Sequence, residues 1–279
     1  MDPLRIGIVK FLNTVPLVEG LDKIPQLSLV PAPPSRLSDM LVANSADIAL
    51  VSIIDAALAS APLAMLSCGM IGCDGPTLTV RVFSSVPFEK ITTLHADTDS
   101  HTSIALARIV LSRAFDRRVK IEPFDSSKDR PATASTEEWP EAVLLIGDKV
   151  ITSGPPRHHF PHQLDLGDAW KKLTGLPFVY ALWMCRARDL EMPASLAGIR
   201  LAESLLDRQL RHNFTRLDRI IQDRAPEFRW PPDLARRYLG ELLRYRVGPA
   251  EKQAVAKFFE EAIACEILTP EQAARVRWA

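Results

Sequence analysis

Two long apolar runs, Leu78–Phe83 and Phe178–Met184, constrain this chain more than any other feature of its sequence. Both read as strands, and the segment between them restarts the alternation of strand and helix that precedes the first. A segment with its own alternation needs its own core, so the middle reads as a second domain inserted into a discontinuous first one. The expected layout is a first lobe of residues 1–84 and 186–279, an inserted lobe of residues 85–185, and crossing strands near 78–84 and 178–185. Lobes joined in this way enclose a cleft on which a hinge can close.

The local patterns support an α/β fold. Ile6–Val9, Leu27–Val30 and Ile48–Val51 are short apolar runs, several of them apolar on both faces as in a parallel sheet covered by helices. Leu37, Met40 and Leu41 fall at i, i+3 and i+4, which stripes one face of a helix. In the middle segment, Leu94–Asp97 reads as a strand. Thr102–Phe115 reads as a helix with Ile104, Ala107, Leu111 and Phe115 on one face, and Ala142–Ile146 as a strand ending in Gly147-Asp148. Gly154–His162, rich in Pro and His, reads as loop. Beyond the second run the chain is helical, with Val255, Phe258, Phe259, Ala262 and Ile263 on one face and breaks at Pro231-Pro232 and Gly248-Pro249.

Composition excludes several functions. The formal net charge of the 279 residues is zero, so no global field favours nucleic acid or an anionic membrane. The arginines between Arg200 and Arg246 alternate with acidic residues and read as solvated helix faces. Cys68, Cys73, Cys185 and Cys265 have no CxxC spacing and read as reduced thiols. His158, His159 and His162 sit in the Pro-rich loop rather than one turn apart on a helix, so no metal site is expected. No phosphate-binding loop, dinucleotide fingerprint or nucleophile elbow occurs, and no cofactor is expected. The start of the chain goes straight into a strand-like run too short for a signal peptide, and no apolar stretch reaches transmembrane length. A soluble cytoplasmic protein acting on a small molecule is the expectation.

The polar residues that remain collect at strand-to-helix turns. Asn13-Thr14 precedes Pro16, Ser52 follows the run Ile48–Val51, and Ser100, Thr102 and Ser103 open the middle helix, with His101 among them. Each fits the role of helix cap. Helix N-termini gathered at one cleft also bind carboxylates through backbone N–H groups and the helix dipole, and the two roles are compatible. Asp148 ends a strand and either faces the cleft, caps a helix or makes a hinge contact.

The segment RIGIVKFLNTVPLVEGL (5–21) resembles the opening of the MqnA family, the chorismate dehydratases of the futalosine route to menaquinone. The resemblance continues through PPSRLSDML, ADIALVSI, DGPTLTVRVFSS, DTDSHTSIALARIVL, LLIGDKVI, DLGDAWKKLTGLPFVYALW and RRYLGELLRYRVG, in order, over essentially the whole chain. It implies a two-lobed periplasmic-binding-protein-like type II fold, the Venus flytrap architecture, in agreement with the inserted-domain reading. It also implies a cofactor-independent hydro-lyase that converts chorismate, a dicarboxylate, to 3-[(1-carboxyvinyl)oxy]benzoate and water at the first step of that route. By motif position Asn13 would be the catalytic residue. Thr14, Ser52, Thr79, Ser100, Thr102, Ser103 and Asp148 would contact substrate, Thr79 standing where serine is usual. The alternative is a non-catalytic solute-binding protein for a small carboxylate on the same fold.

Overall fold

The computed structural model of the chain describes residues 2–125 and 139–279. The chain begins with β1 (Leu4–Ile8), a tight helical turn over Leu12–Thr14, α1 (Val15–Val18) and β2 (Leu27–Pro31). Next come α2 (Leu37–Val42), β3 (Ile48–Ser52), α3 (Ile53–Leu58) and β4 (Leu63–Cys73), followed by β5 (Val80–Ser84) and β6 (Thr93–Asp97). The middle continues with α4 (His101–Phe115), β7 (Lys120–Phe124), β8 (Ala142–Ile146), α5 (Lys149–Thr152), β9 (His162–Asp165) and α6 (Leu166–Thr174). β10 (Phe178–Arg186) precedes α7 (Pro193–Phe214), α8 (Leu217–Arg224), α9 (Pro232–Arg237), a π-helical turn over Tyr238–Leu242 and β11 (Leu243–Arg244). The chain closes with α10 (Pro249–Ala264), α11 (Pro270–Ala273) and β12 (Val276–Trp278).

Two sheets form the two lobes. The first runs β11-β4-β10-β3-β1-β2, with β12 beside the other end of β4; the second runs β7-β6-β8-β5-β9. β1 pairs parallel with β2 and β3, and β10 lies antiparallel between β3 and β4. Phe178, Leu182, Trp183 and Met184 of β10 are buried, each contributing roughly 1.5–3 kcal/mol by removal of apolar surface from water.

Neither bracketing run is shared between the sheets, whereas the sequence leads one to expect strands that cross. β5 pairs with β8 and β9 in the second sheet, and β10 belongs wholly to the first. The chain passes between sheets through residues 74–79 and again through α6 and the turn after it. One carboxylate ties the two passages together: Asp165 accepts from the backbone N–H groups of Thr77 (2.9 Å) and Leu78 (2.7 Å) in one, and of Gly167 and Asp168 in the other. Leu78 is held there at φ +71°, in the left-handed region that costs a side-chain-bearing residue about 1 kcal/mol or more. Gly167 sits so close to Cys73, Gly75 and Thr77 that a Cβ would collide with all three.

α4 starts one residue earlier than its pattern indicates, with Ser100 as N-cap accepting from Ser103 N–H. It is buried on more than the expected face, since Ala105, Leu106, Ile109 and Val110 are buried as well as Ala107 and Leu111. The reason is position: α4 packs against α6 and also against α3 and α10 beside the first sheet, so it has apolar neighbours on several sides. His162, placed with the preceding loop by its sequence context, instead begins β9, opposite Ser84. No helix among the described residues is long and apolar enough to cross a membrane.

Candidate functional site

The asparagine turn sits where β1 delivers the chain to α1. Val9 and Phe11 end the extended run, Leu12–Thr14 coil into a single tight turn, and Pro16 occupies the first turn of α1, where its missing N–H costs nothing. The Thr14 hydroxyl bonds the Val9 and Phe11 carbonyls, both at 2.8 Å, and so closes the turn from inside. The Asn13 carbonyl accepts from the Tyr245 hydroxyl at 3.0 Å. That bond fixes the backbone of Asn13 within the first lobe. Its side-chain Oδ1 is buried, yet it has no hydrogen-bond partner among the described residues. Such an atom costs about 1–3 kcal/mol unless something else supplies a donor.

Asn13 lines a cleft between the two lobes. Six of the eight residues expected at the site meet there: Asn13, Thr14, Ser52, Thr79, Ser100 and Ser103. They come from both lobes, Asn13 and Thr14 from the turn after β1 and Ser52 from the end of β3 in the first, and Ser100 and Ser103 from the start of α4 in the second. Thr14 forms wall only, because its hydroxyl is engaged within its own turn.

Thr102 and Asp148 are placed differently from the expectation of substrate contact, and neither lines the cleft. The Thr102 hydroxyl bonds the Ser52 hydroxyl at short range and accepts from Ile54 N–H at 3.2 Å. The Asp148 carboxylate accepts from Trp230 Nε1 at 2.7 Å. Both side chains thus spend their polar atoms on bonds between the lobes. A further bond of this kind joins His101 Nδ1 to Asp55 Oδ1 at 2.7 Å, from the first turn of α4 to that of α3. The lobes are closed on the cleft by these contacts.

Every residue that lines the cleft among those described is uncharged. What the cleft offers an anion is the hydroxyls of Ser52, Ser100, Ser103 and Thr79, of which Ser100 and Ser103 also bond each other at 2.9 Å, together with the dipole at the start of the 15-residue α4. Ionisable groups stand one layer behind. Burial raises the Asp148 carboxyl above its ordinary range, against the opposing effect of its Trp230 donor. The hydrogen bond to Asp55 raises His101 above 6.5. Burial lifts Cys73 to about 11, which makes it an inert thiol beside Thr77.

Sequence reasoning singled out neither tyrosine of the cleft. Tyr180 and Thr77 share a 2.7 Å hydrogen bond, and Tyr238 and Thr79 share one of 2.6 Å. Tyr180 was visible as the one hydroxyl inside the run Phe178–Met184, and Tyr238 stands in the quoted segment RRYLGELLRYRVG. Tyr238 also stacks on Trp230, with ring centroids 4.9 Å apart and planes 13° from parallel.

Comparison with known proteins agrees with this architecture. A family model described as menaquinone biosynthesis matches residues 4–264. A chorismate dehydratase of Thermus thermophilus is 24% identical over 93% of this chain and 95% of its own length. A structural-genomics target from Archaeoglobus fulgidus superposes with a TM-score of 0.72, at 18% identity, covering 96% of this chain and 99% of that one. A Candida albicans gene product described as having the generic periplasmic binding protein fold gives a TM-score of 0.71, at 12% identity, over 99% and 94% of the two chains. The alkanesulfonate-binding protein SsuA of Xanthomonas axonopodis, bound to MOPS, gives 0.64 at 16% identity over 99% of each chain. These likenesses fix the fold as periplasmic-binding-protein-like.

Proposed function

From the membership of this chain in the menaquinone biosynthesis family, we propose that it is a chorismate dehydratase, a cytoplasmic hydro-lyase that needs no cofactor. The observation that carries the reading is the unpartnered Asn13 Oδ1 in a cleft whose described walls hold no acid, base or cation. Such a site is poorly suited to ordinary acid–base chemistry. It suits a substrate that brings its own base and needs to be held in one conformation.

Chorismate meets that description. Its ring hydroxyl supplies the O–H donor that Asn13 Oδ1 lacks, and its two carboxylates match the hydroxyls and N–H groups of the cleft. In the reaction the ring C–H bond next to the hydroxyl-bearing carbon breaks, and the enolpyruvyl carboxylate of the substrate takes that proton. The electron pair forms the new ring double bond, the C–O bond breaks, and the hydroxyl leaves with the proton as water. Aromaticity of the product supplies the driving force. Asn13, by holding the hydroxyl hydrogen, turns the oxygen lone pairs toward the proton it will accept. Ser52, Ser100, Ser103 and Thr79 hold the carboxylates, and closure about the passages at 74–79 and 166–177 excludes water.

The test is incubation of the purified protein with chorismate, following loss of its diene absorbance and appearance of the aromatic enol ether. Turnover supports the reading. Binding without turnover replaces it with a solute-binding role like that of the alkanesulfonate-binding protein SsuA, and neither binding nor turnover overturns the chorismate assignment.

A further inference from the structure

Ser52 stands at two places at once. Its hydroxyl lines the cleft, and as the residue before α3 it is also placed to cap that helix. It does not do so: no hydrogen bond runs from its side chain to the first turn of α3. The cap comes from the other lobe. Thr102 Oγ1, in the first turn of α4, accepts from Ile54 N–H at 3.2 Å, and the same oxygen lies 2.5 Å from the Ser52 hydroxyl. Beside it His101 Nδ1 meets Asp55 Oδ1 at 2.7 Å, so the first turns of α3 and α4 are joined at two points.

Burial settles which of the two hydroxyls donates. Thr102 is 1% exposed and stays off the cleft wall, and among the described residues its oxygen has no partners besides Ile54 N–H and Ser52. If Ser52 donated, the Thr102 oxygen would accept twice and its own proton would be buried without an acceptor, an arrangement that folded chains avoid. If Thr102 donates, every group is paired. Ser52 Oγ then accepts, and the Ser52 proton is left for whatever occupies the cleft that it lines. With the lobes apart the roles change. Thr102 leaves with α4, Ile54 N–H needs an acceptor, and a serine at the N-cap position supplies one from its own side chain.

We propose that Thr102 is a positioning residue that makes Ser52 a donor to the ligand only when the lobes are shut: it takes over the cap of α3 and gives its proton to the Ser52 oxygen. The kinetic part of this inference rests on the proposed dehydration. The ligand group that Ser52 then meets is an acceptor, one carboxylate oxygen of the substrate. An open protein, with Ser52 turned back on its own helix, holds that carboxylate less well, so recognition and closure come together. Thr102 does this without meeting the substrate.

Thr102→Val keeps the shape of the side chain and removes its polar atom, whereas Thr102→Ser keeps the hydroxyl. The His101–Asp55 and Trp230–Asp148 bonds remain to hold the lobes in both variants. In protein labelled with ¹⁵N-isoleucine, Ile54→Val identifies the Ile54 backbone resonance by its disappearance. Thr102→Val should move that resonance, and Thr102→Ser should leave it close to its original place. With chorismate, Thr102→Val should raise KM about tenfold and change kcat by less than about twofold, the pattern of a lost binding contact, and Thr102→Ser should restore KM. Ser52→Ala should raise KM by a similar factor, because it removes the same donor. An Ile54 resonance unmoved by Thr102→Val would overturn the cap. A Thr102→Val protein with unchanged KM, or a Thr102→Ser protein as impaired as Thr102→Val, would overturn the positioning of Ser52. If the unaltered protein fails to turn over chorismate, the proposed function falls, and the Ile54 resonance still decides whether Thr102 caps α3.

Discussion

Replacing Asp148 separates two roles for a residue expected at the substrate and found between the lobes. Asp148→Ala removes the acceptor of Trp230 Nε1–H (2.7 Å), and Trp230 is only 3% exposed. A hydrogen bond to a charged acceptor is worth about 1.5–3 kcal/mol, and a buried orphan donor costs a similar amount. Set against this is the cost of burying the Asp148 charge, which raises its pKa. A net loss of about 2 kcal/mol for the closed state is a fair middle value, and at 1.36 kcal/mol per decade it shifts the closing equilibrium about thirtyfold. KM for chorismate should rise by up to that factor while kcat changes little, and small-angle scattering should report a larger radius for the ligand-free protein. Asp148→Asn keeps an acceptor and discards the buried charge, so it should close as well as the unaltered chain. If Asn is as damaging as Ala, the carboxylate charge matters at the substrate and the latch argument fails. If Ala changes neither KM nor scattering, the bond to Trp230 does not hold the lobes.

Asn13→Ala should lower kcat about a hundredfold or more while the protein still binds chorismate, as measured by calorimetry; unchanged turnover would remove Asn13 from the mechanism. The His101–Asp55 bond should make affinity pH-dependent: with His101 raised above 6.5, its contribution is complete below about pH 6.5 and is lost as pH rises through the raised value. His101 is 46% exposed, so the contribution is about 0.5 kcal/mol, or roughly twofold in KM, and His101→Ala should flatten that profile. Gly167→Ala would press a methyl into Cys73, Gly75 and Thr77 and should cost about 1–3 kcal/mol, seen as a melting temperature lower by several degrees. An unchanged melting point would mean that the two passages between lobes yield more easily than their packing suggests.

The sequence disclosed most where a single segment carries its own signal. β1, β3, β8 and β10 are apolar runs in isolation, and α4 announces itself through Ser100 and its apolar positions. β4 gave no such signal, although at 11 residues it is the longest strand. Its Gly69 and Gly72 are poor strand residues, and they are required by neighbours far along the chain: a Cβ at Gly72 would lie 2.6 Å from the Phe178 carbonyl, and one at Gly69 would meet Trp183. The two- and three-residue strands β11 and β12 exist only because β4 offers them edges. At the site the same division holds. Hydroxyls at helix mouths were legible, because capping and anion binding use the same residue types. The bonds of Thr102 to Ser52 and of Asp148 to Trp230 were not, since they depend on how one lobe sits on the other.

A cleft walled by neutral groups, in a chain with no net charge, has consequences for how quickly it meets its ligand. Without a positive field there is nothing to draw a dianion in from solution, so association should run near the unsteered 10⁵–10⁶ M⁻¹s⁻¹ of neutral encounters and respond weakly to ionic strength. The protein forgoes speed of capture, and it also avoids collecting every phosphate and carboxylate in its surroundings. Choice among anions falls to what happens after arrival, when only a molecule with its donors and acceptors in the right places lets the two halves stay together.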